Sequence, residues 1–157
     1  MWWPAYAAAA WALLFTVQSL AAAIIVTSGS AFGADTFAAA FARLARASDA
    51  GFIAILWLAV VAKALGGMLA LAPTRRWGRW LRHRPLTIAT YAVGVLVFLY
   101  GAINLIEHLL MKTDATTIPA SLGARALPWH LWLWDPYWIL GGVLFLAAAH
   151  AASSRRS

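Results

Sequence analysis

Leu56-Trp57-Leu58, six residues, then Leu65-Gly66-Gly67-Met68-Leu69-Ala70-Leu71-Ala72 returns 75 residues later as Leu131-Trp132-Leu133, six residues, then Leu140-Gly141-Gly142-Val143-Leu144-Phe145-Leu146-Ala147. Nine of the 17 positions are identical at that constant offset. In a chain rich in Leu and Ala the weight rests on the rarer Trp and Gly-Gly. Each phrase lies in an apolar stretch that follows another apolar stretch. The pattern predicts a duplicated helical hairpin, with repeats over 1–72 and 86–152.

Composition decides the solvent. The 157 residues are 64% hydrophobic and 11% charged, with a mean hydropathy of +0.77, far from the soluble balance. A bilayer span needs about 20 consecutive apolar residues. Four stretches qualify, 5–28, 51–72, 86–111 and 128–152. The chain is therefore expected to be a single four-span domain over 1–157, an all-α membrane protein folded as an antiparallel four-helix transmembrane bundle. Asp35 to Ser48 places Phe37, Phe41 and Leu44 at helical spacing with Arg43 and Arg46 on another face. That pattern predicts a short interfacial helix between spans one and two. Ser48 or Asp49 can cap the second span.

The net charge of +7 is distributed for topology. Arg75, Arg76, Arg79, Arg82 and Arg84 lie between spans two and three, and Arg155 and Arg156 close the chain. By the positive-inside rule both ends are expected to be cytoplasmic. Trp77 and Trp80 among these arginines would also suit single-stranded nucleic acid. Beside two spans they read instead as an anchor to anionic lipid headgroups. The expected partners are the bilayer and a second copy or another membrane protein, with no nucleic acid. The chain has no cysteine, which excludes thiolate catalysis, disulfides and Cys-ligated metals. Met1-Trp2-Trp3-Pro4 lacks the basic region of a secretory signal, so the first span is read as retained.

Lys63 is the costly residue. It lies ten residues from Pro73, about 15 Å along a helix and near the bilayer centre. A central Lys costs roughly 2.5–3.5 kcal/mol. The ten Leu, Ile, Val and Phe residues of the span return about 3–6 kcal/mol, so it inserts. Ala59, Lys63, Gly66, Gly67 and Ala70 form a small-residue face that should turn Lys63 into the bundle. Gln18 lies at a similar depth, with Asn104, Glu107 and His108 in the outer half of the third span. The expectation is an outward-facing polar pocket of Lys63, Gln18, Asn104, Glu107 and His108, with His130 and Asp135 at its mouth. The plainer alternative is a buried structural ion pair. Gly66, Gly67, Gly141 and Gly142 are expected to pack helices, spans two and four meeting across a pseudo-twofold axis.

Three chemistries suit these residue types. His108 and His130 with Glu107 or Asp135 would suit haem or a metal, but the histidines follow no ligand-spacing motif. Lys63, Glu107 and His108 would suit acid–base chemistry on a lipid or quinone. A transport path would need polar groups to continue inward, where the spans offer Gly-Gly and apolar residues. No catalytic residue, metal or cofactor is expected. The leading reading is a non-enzymatic accessory or small-molecule- or lipid-binding bundle; the alternatives are an enzyme on a lipid-soluble substrate or a small transporter.

The run Trp129-His130-Leu131-Trp132-Leu133-Trp134-Asp135-Pro136-Tyr137-Trp138-Ile139-Leu140-Gly141-Gly142 resembles the end of a family of small four-span membrane proteins common in actinobacteria, catalogued as a domain of unknown function. Asn104-Leu105-Ile106-Glu107-His108, Lys63-Ala64-Leu65-Gly66-Gly67 and Gly33-Ala34-Asp35-Thr36 are similar to its other segments. The resemblance implies four helices in a bacterial inner membrane and no activity.

Overall fold

A computed structural model describes residues 2–29, 39–47, 49–75 and 83–154. The described chain is helical, with no strand among the described residues. The helices are α1 (Trp3–Thr27), α2 (Ala39–Arg46), α3 (Ala50–Leu71), α4 (His83–Lys112), α5 (Leu127–Trp129) and α6 (Asp135–Ser153). A 3-10 turn, Ala72–Thr74, ends the second span, and a π-helical turn, His130–Trp134, joins α5 to α6. Four helical segments are long and apolar enough to cross a membrane: Trp3–Thr27, Ala50–Thr74, Arg84–Lys112 and Leu127–Ser153.

Local signals set the ends. Pro4 opens α1, where its missing N–H is not needed. Gly29 follows α1 at φ 79°, donating its N–H to Val26 O, as a left-handed residue closing a helix does. Of the two expected caps, Asp49 starts α3, its side chain accepting from Phe52 N at 2.7 Å. In α2, Ala42 and Ala45 are buried against Ala23, Val26 and Leu56, and Phe41 packs edge-on to Phe52 at 4.9 Å. Arg43 and Arg46 face outward. Asp35, Phe37, Arg76, Trp77, Arg79, Trp80, Arg82, Arg155 and Arg156 lie outside the described residues. Arg75 sits 5.9 Å from the Tyr6 ring, and Arg84 is exposed.

The helices pack in the order α3, α1, α6, α4. Each hairpin pairs tightly, α1 with α3 and α4 with α6; α1 joins the hairpins through α6, while α3 barely touches α4 or α6. Of α3 only Leu56 and Ala70 are buried, so Ile55, Leu58, Val61, Leu65 and Met68 face the surroundings. An all-round apolar helix can do this in a bilayer, where lipid replaces protein as its apolar partner.

The expected approach of spans two and four through their glycines does not occur. A Cβ on Gly67 would meet Ala12 Cβ at 3.3 Å, within the first hairpin. One on Gly142 would meet the Phe98 backbone at 2.5 Å, within the second. Gly141 abuts the Trp11 ring of α1, and a Cβ on Gly66 would find Phe145 at an ordinary 3.8 Å. Two glycines outside the repeated phrase complete the second seam. A Cβ on Gly94 would come within 2.9 Å of Leu146, and one on Gly101 within 2.8 Å of Ile139 N. Gly67, Gly94, Gly101 and Gly142 thus line the seams within the hairpins, whereas Gly66 and Gly141 face residues of the other hairpin.

Trp11 locks the hairpins together. It is buried, and its Nε1 donates to Tyr137 O at 2.9 Å while Tyr137 Oη donates back to Trp11 O at 3.1 Å. Their rings stack at 5.1 Å, and Phe15, Trp138 and Phe145 pack edge-on around Trp11. Indole and phenol groups in an apolar core need such partners.

Candidate functional site

Lys63 points from α3 toward α1. Its Nζ donates to Ser19 Oγ at 2.5 Å and lies 3.6 Å from the centre of the Phe15 ring. Trp138 stands 5.9 Å away on another side, and Ser19 Oγ donates to Gln18 Oε1 at 3.3 Å. Phe15 and Ser19 are one turn apart, so one face of α1 offers the cation both a ring and a hydroxyl. A cation held over an aromatic face away from water gains about 2 kcal/mol. No carboxylate pairs with Lys63 among the described residues. The charge is therefore solvated by π electrons and a hydroxyl and is not neutralised.

Beside Lys63 is a cavity of about 180 Å³, lined among others by Gln18, Ser19, Phe41, His130, Trp134 and Trp138. At about 30 Å³ per water this is space for roughly six water molecules. Drug-sized ligands need at least about 300 Å³, so the cavity suits a headgroup. A separate apolar groove of about 370 Å³ runs between α1 and α3, lined by Leu13, Gly67, Met68 and Leu71 and also bounded by Lys63.

The second polar cluster joins α4 to the fourth span. His108 Nδ1 and Asp135 Oδ2 are hydrogen-bonded at 2.6 Å, and His130 Nδ1 lies 3.7 Å from Asp135 Oδ1. Asp135 is 1% exposed and His108 5%. The two imidazoles lie 4.8 Å apart, centre to centre. His130 Nε2 is buried without a hydrogen-bond partner.

The backbone explains why His130 and Asp135 meet. At 3.6 residues per turn, positions five apart are rotated by about 140°. In the π turn Asp135 N donates to His130 O, an i→i+5 closure that brings the residue five positions on over the first. Pro136 follows directly at the start of α6. Its missing N–H and its ring would obstruct an α-helical bond to Trp132. The sequence suggests either a kink at Pro136 or a helix newly opened by Asp135 and Pro136. The helix instead accommodates the proline by widening one turn and runs on to Ser153.

The expected pocket divides. Lys63, Gln18 and His130 line the cavity; His108 and Asp135 adjoin it through His130. Asn104 does not enter, its Nδ2 donating to Tyr100 O of its own helix at 2.6 Å. Glu107 is exposed and outside the cavity. Its neighbour His108 is turned inward to Asp135, and consecutive helical residues diverge by about 100°. Phe15, Ser19 and Trp138 complete the Lys63 environment and were not legible as such. The only sequence signal was the one-turn spacing of Phe15 and Ser19.

The model of a family described as a protein of unknown function, DUF3995, matches residues 24–145, more than three quarters of the chain. The chain belongs to this family. The matched range carries Lys63, His108, His130 and Asp135, whereas Phe15, Gln18 and Ser19 precede it. The family's description assigns no activity. No curated protein and no solved structure matches the chain.

Proposed function

We propose that this protein is a non-enzymatic membrane bundle that binds the anionic headgroup of a small amphipathic molecule at Lys63. The observation that carries the reading is a cation, free of any described carboxylate, beside a headgroup-sized cavity. An anion entering there gains Coulomb energy in a medium of low dielectric. The neighbouring apolar groove gives an alkyl tail a place against α1 and α3. Acid–base catalysis finds less support, because Glu107, its expected carboxylate, faces away. The setting proposed is a bacterial inner membrane with both ends cytoplasmic, Arg75 and Arg84 meeting anionic headgroups on that side. The glycine contacts shared by the two hairpins support their origin by duplication.

The test is titration with decanoate, and with decanol as its neutral counterpart, of protein in a mild non-ionic detergent, read by native mass spectrometry. Decanoate should saturate at one per chain and decanol should not. Lys63→Met should remove the decanoate adduct, and Glu107→Gln should retain it. Equal binding of the two amphiphiles, or an adduct that survives Lys63→Met, would refute the proposal.

A further inference from the structure

The geometry points to a site for a divalent first-row transition-metal ion formed by His108, His130 and Asp135. One donor atom from each residue lies within 4.8 Å of the others. Imidazole and carboxylate together suit zinc, iron, cobalt or manganese, whereas an all-oxygen set would suit magnesium or calcium. Bonds of about 2.1 Å place ligand atoms of a tetrahedral ion about 3.4 Å apart. The 3.7 Å separation of His130 Nδ1 and Asp135 Oδ1 is already close to that. The 2.6 Å separation of His108 Nδ1 and Asp135 Oδ2 is the shorter spacing of a hydrogen bond. An ion would displace the proton held between those atoms, and the pair would open by less than 1 Å. Rotations about side-chain bonds supply such a movement without shifting a helix.

Two further observations favour a ligand over a purely structural bond. A hydrogen bond between α4 and α6 requires only His108 and Asp135, yet a second imidazole lies beside them, its ring tilted by 55° to that of His108. His130 Nδ1, 3.7 Å from Asp135 Oδ1, is too far to hydrogen-bond the carboxylate that it faces. The wide turn that brings His130 over Asp135 is also a feature frequent at functional sites. Spacing along the sequence gave no metal motif because the motif assumes α-helical or loop geometry. Here a π turn and a partner helix assemble the donors. Three protein ligands leave coordination positions open, unlike a closed structural site, and His130 borders the Lys63 cavity.

The site does not depend on the amphiphile reading. Full-length protein in mild detergent, freed of metal with a chelator, would be titrated with Co²⁺ and followed by visible absorption and native mass spectrometry. Binding should saturate at one ion per chain, with the strong ligand-field bands of four- or five-coordinate cobalt. His130→Gln and Asp135→Asn should weaken it at least tenfold, and Lys63→Met and His150→Gln, the latter in the last turn of α6, should leave it unchanged. His130→Gln keeps the His108–Asp135 bond, so it decides the matter even where Asp135→Asn loses helical circular dichroism. No saturable binding, wild-type binding in His130→Gln, or loss with His150→Gln would overturn the site.

Discussion

Gly67 and Gly142 occupy the same place in the repeated phrase, yet substituting each with Ala should have different consequences. A Cβ at Gly142 would lie 2.5 Å from three Phe98 atoms, two of them backbone, which cannot rotate away. Reaching an ordinary contact of about 3.4 Å requires α4 and α6 to part by 3.4 − 2.5, or about 0.9 Å. A gap of that size forfeits a quarter to a half of each dispersion contact along the seam. In a bilayer such packing is the main force between helices. Overpacking of this kind costs about 1–3 kcal/mol, against a gain of about 1 kcal/mol from replacing Gly by Ala within a helix. Gly142→Ala should therefore be destabilising by as much as about 2 kcal/mol. At Gly67 the nearest atom is the Ala12 methyl at 3.3 Å, and a shift of a tenth of an ångström removes the strain. Gly67→Ala should fall within about 1 kcal/mol of wild type, and Gly66→Ala should be neutral or stabilising. The assay is equilibrium unfolding in mixed micelles with rising SDS, followed by helical circular dichroism and tryptophan fluorescence. Wild-type stability in Gly142→Ala, or a greater loss in Gly67→Ala, would show that the hairpin seams are misassigned.

Two other substitutions probe the core in the same assay. Lys63→Met should leave stability unchanged or raise it, because an apolar side chain of similar length avoids burying a charge; a marked loss would make Lys63 a structural cation. Tyr137→Phe removes the hydroxyl that donates to Trp11 O but leaves the ring stack, so about 0.6 kcal/mol should be lost, whereas Trp11→Ala should cost about 3–5 kcal/mol through the cavity it leaves. Similar losses in the two would place the lock elsewhere.

The four spans, their ends and the small helix before α3 follow from properties that add up along the chain. Hydropathy over about 20 residues decides insertion, and caps such as Asp49 and the left-handed Gly29 act on backbone groups a few residues away. The sequence by itself therefore determined an all-helical membrane protein and marked Lys63 as its costly interior group, with Gln18, Asn104, Glu107 and His108 expected around it and His130 and Asp135 at the mouth. Which groups meet was decided by tertiary structure. Glu107 faces out because the pairing of its neighbour His108 with Asp135 fixes the rotation of α4, and no local pattern encodes that rotation. His130 reaches Asp135 only because the helix widens by one turn ahead of Pro136, which a reading at 3.6 residues per turn places about 140° out of register. The repeated glycines announced close helix contacts but not their partners. Chain connectivity and the shapes of Trp11 and Phe98 settled that, since close packing depends on complementarity between surfaces far apart in sequence.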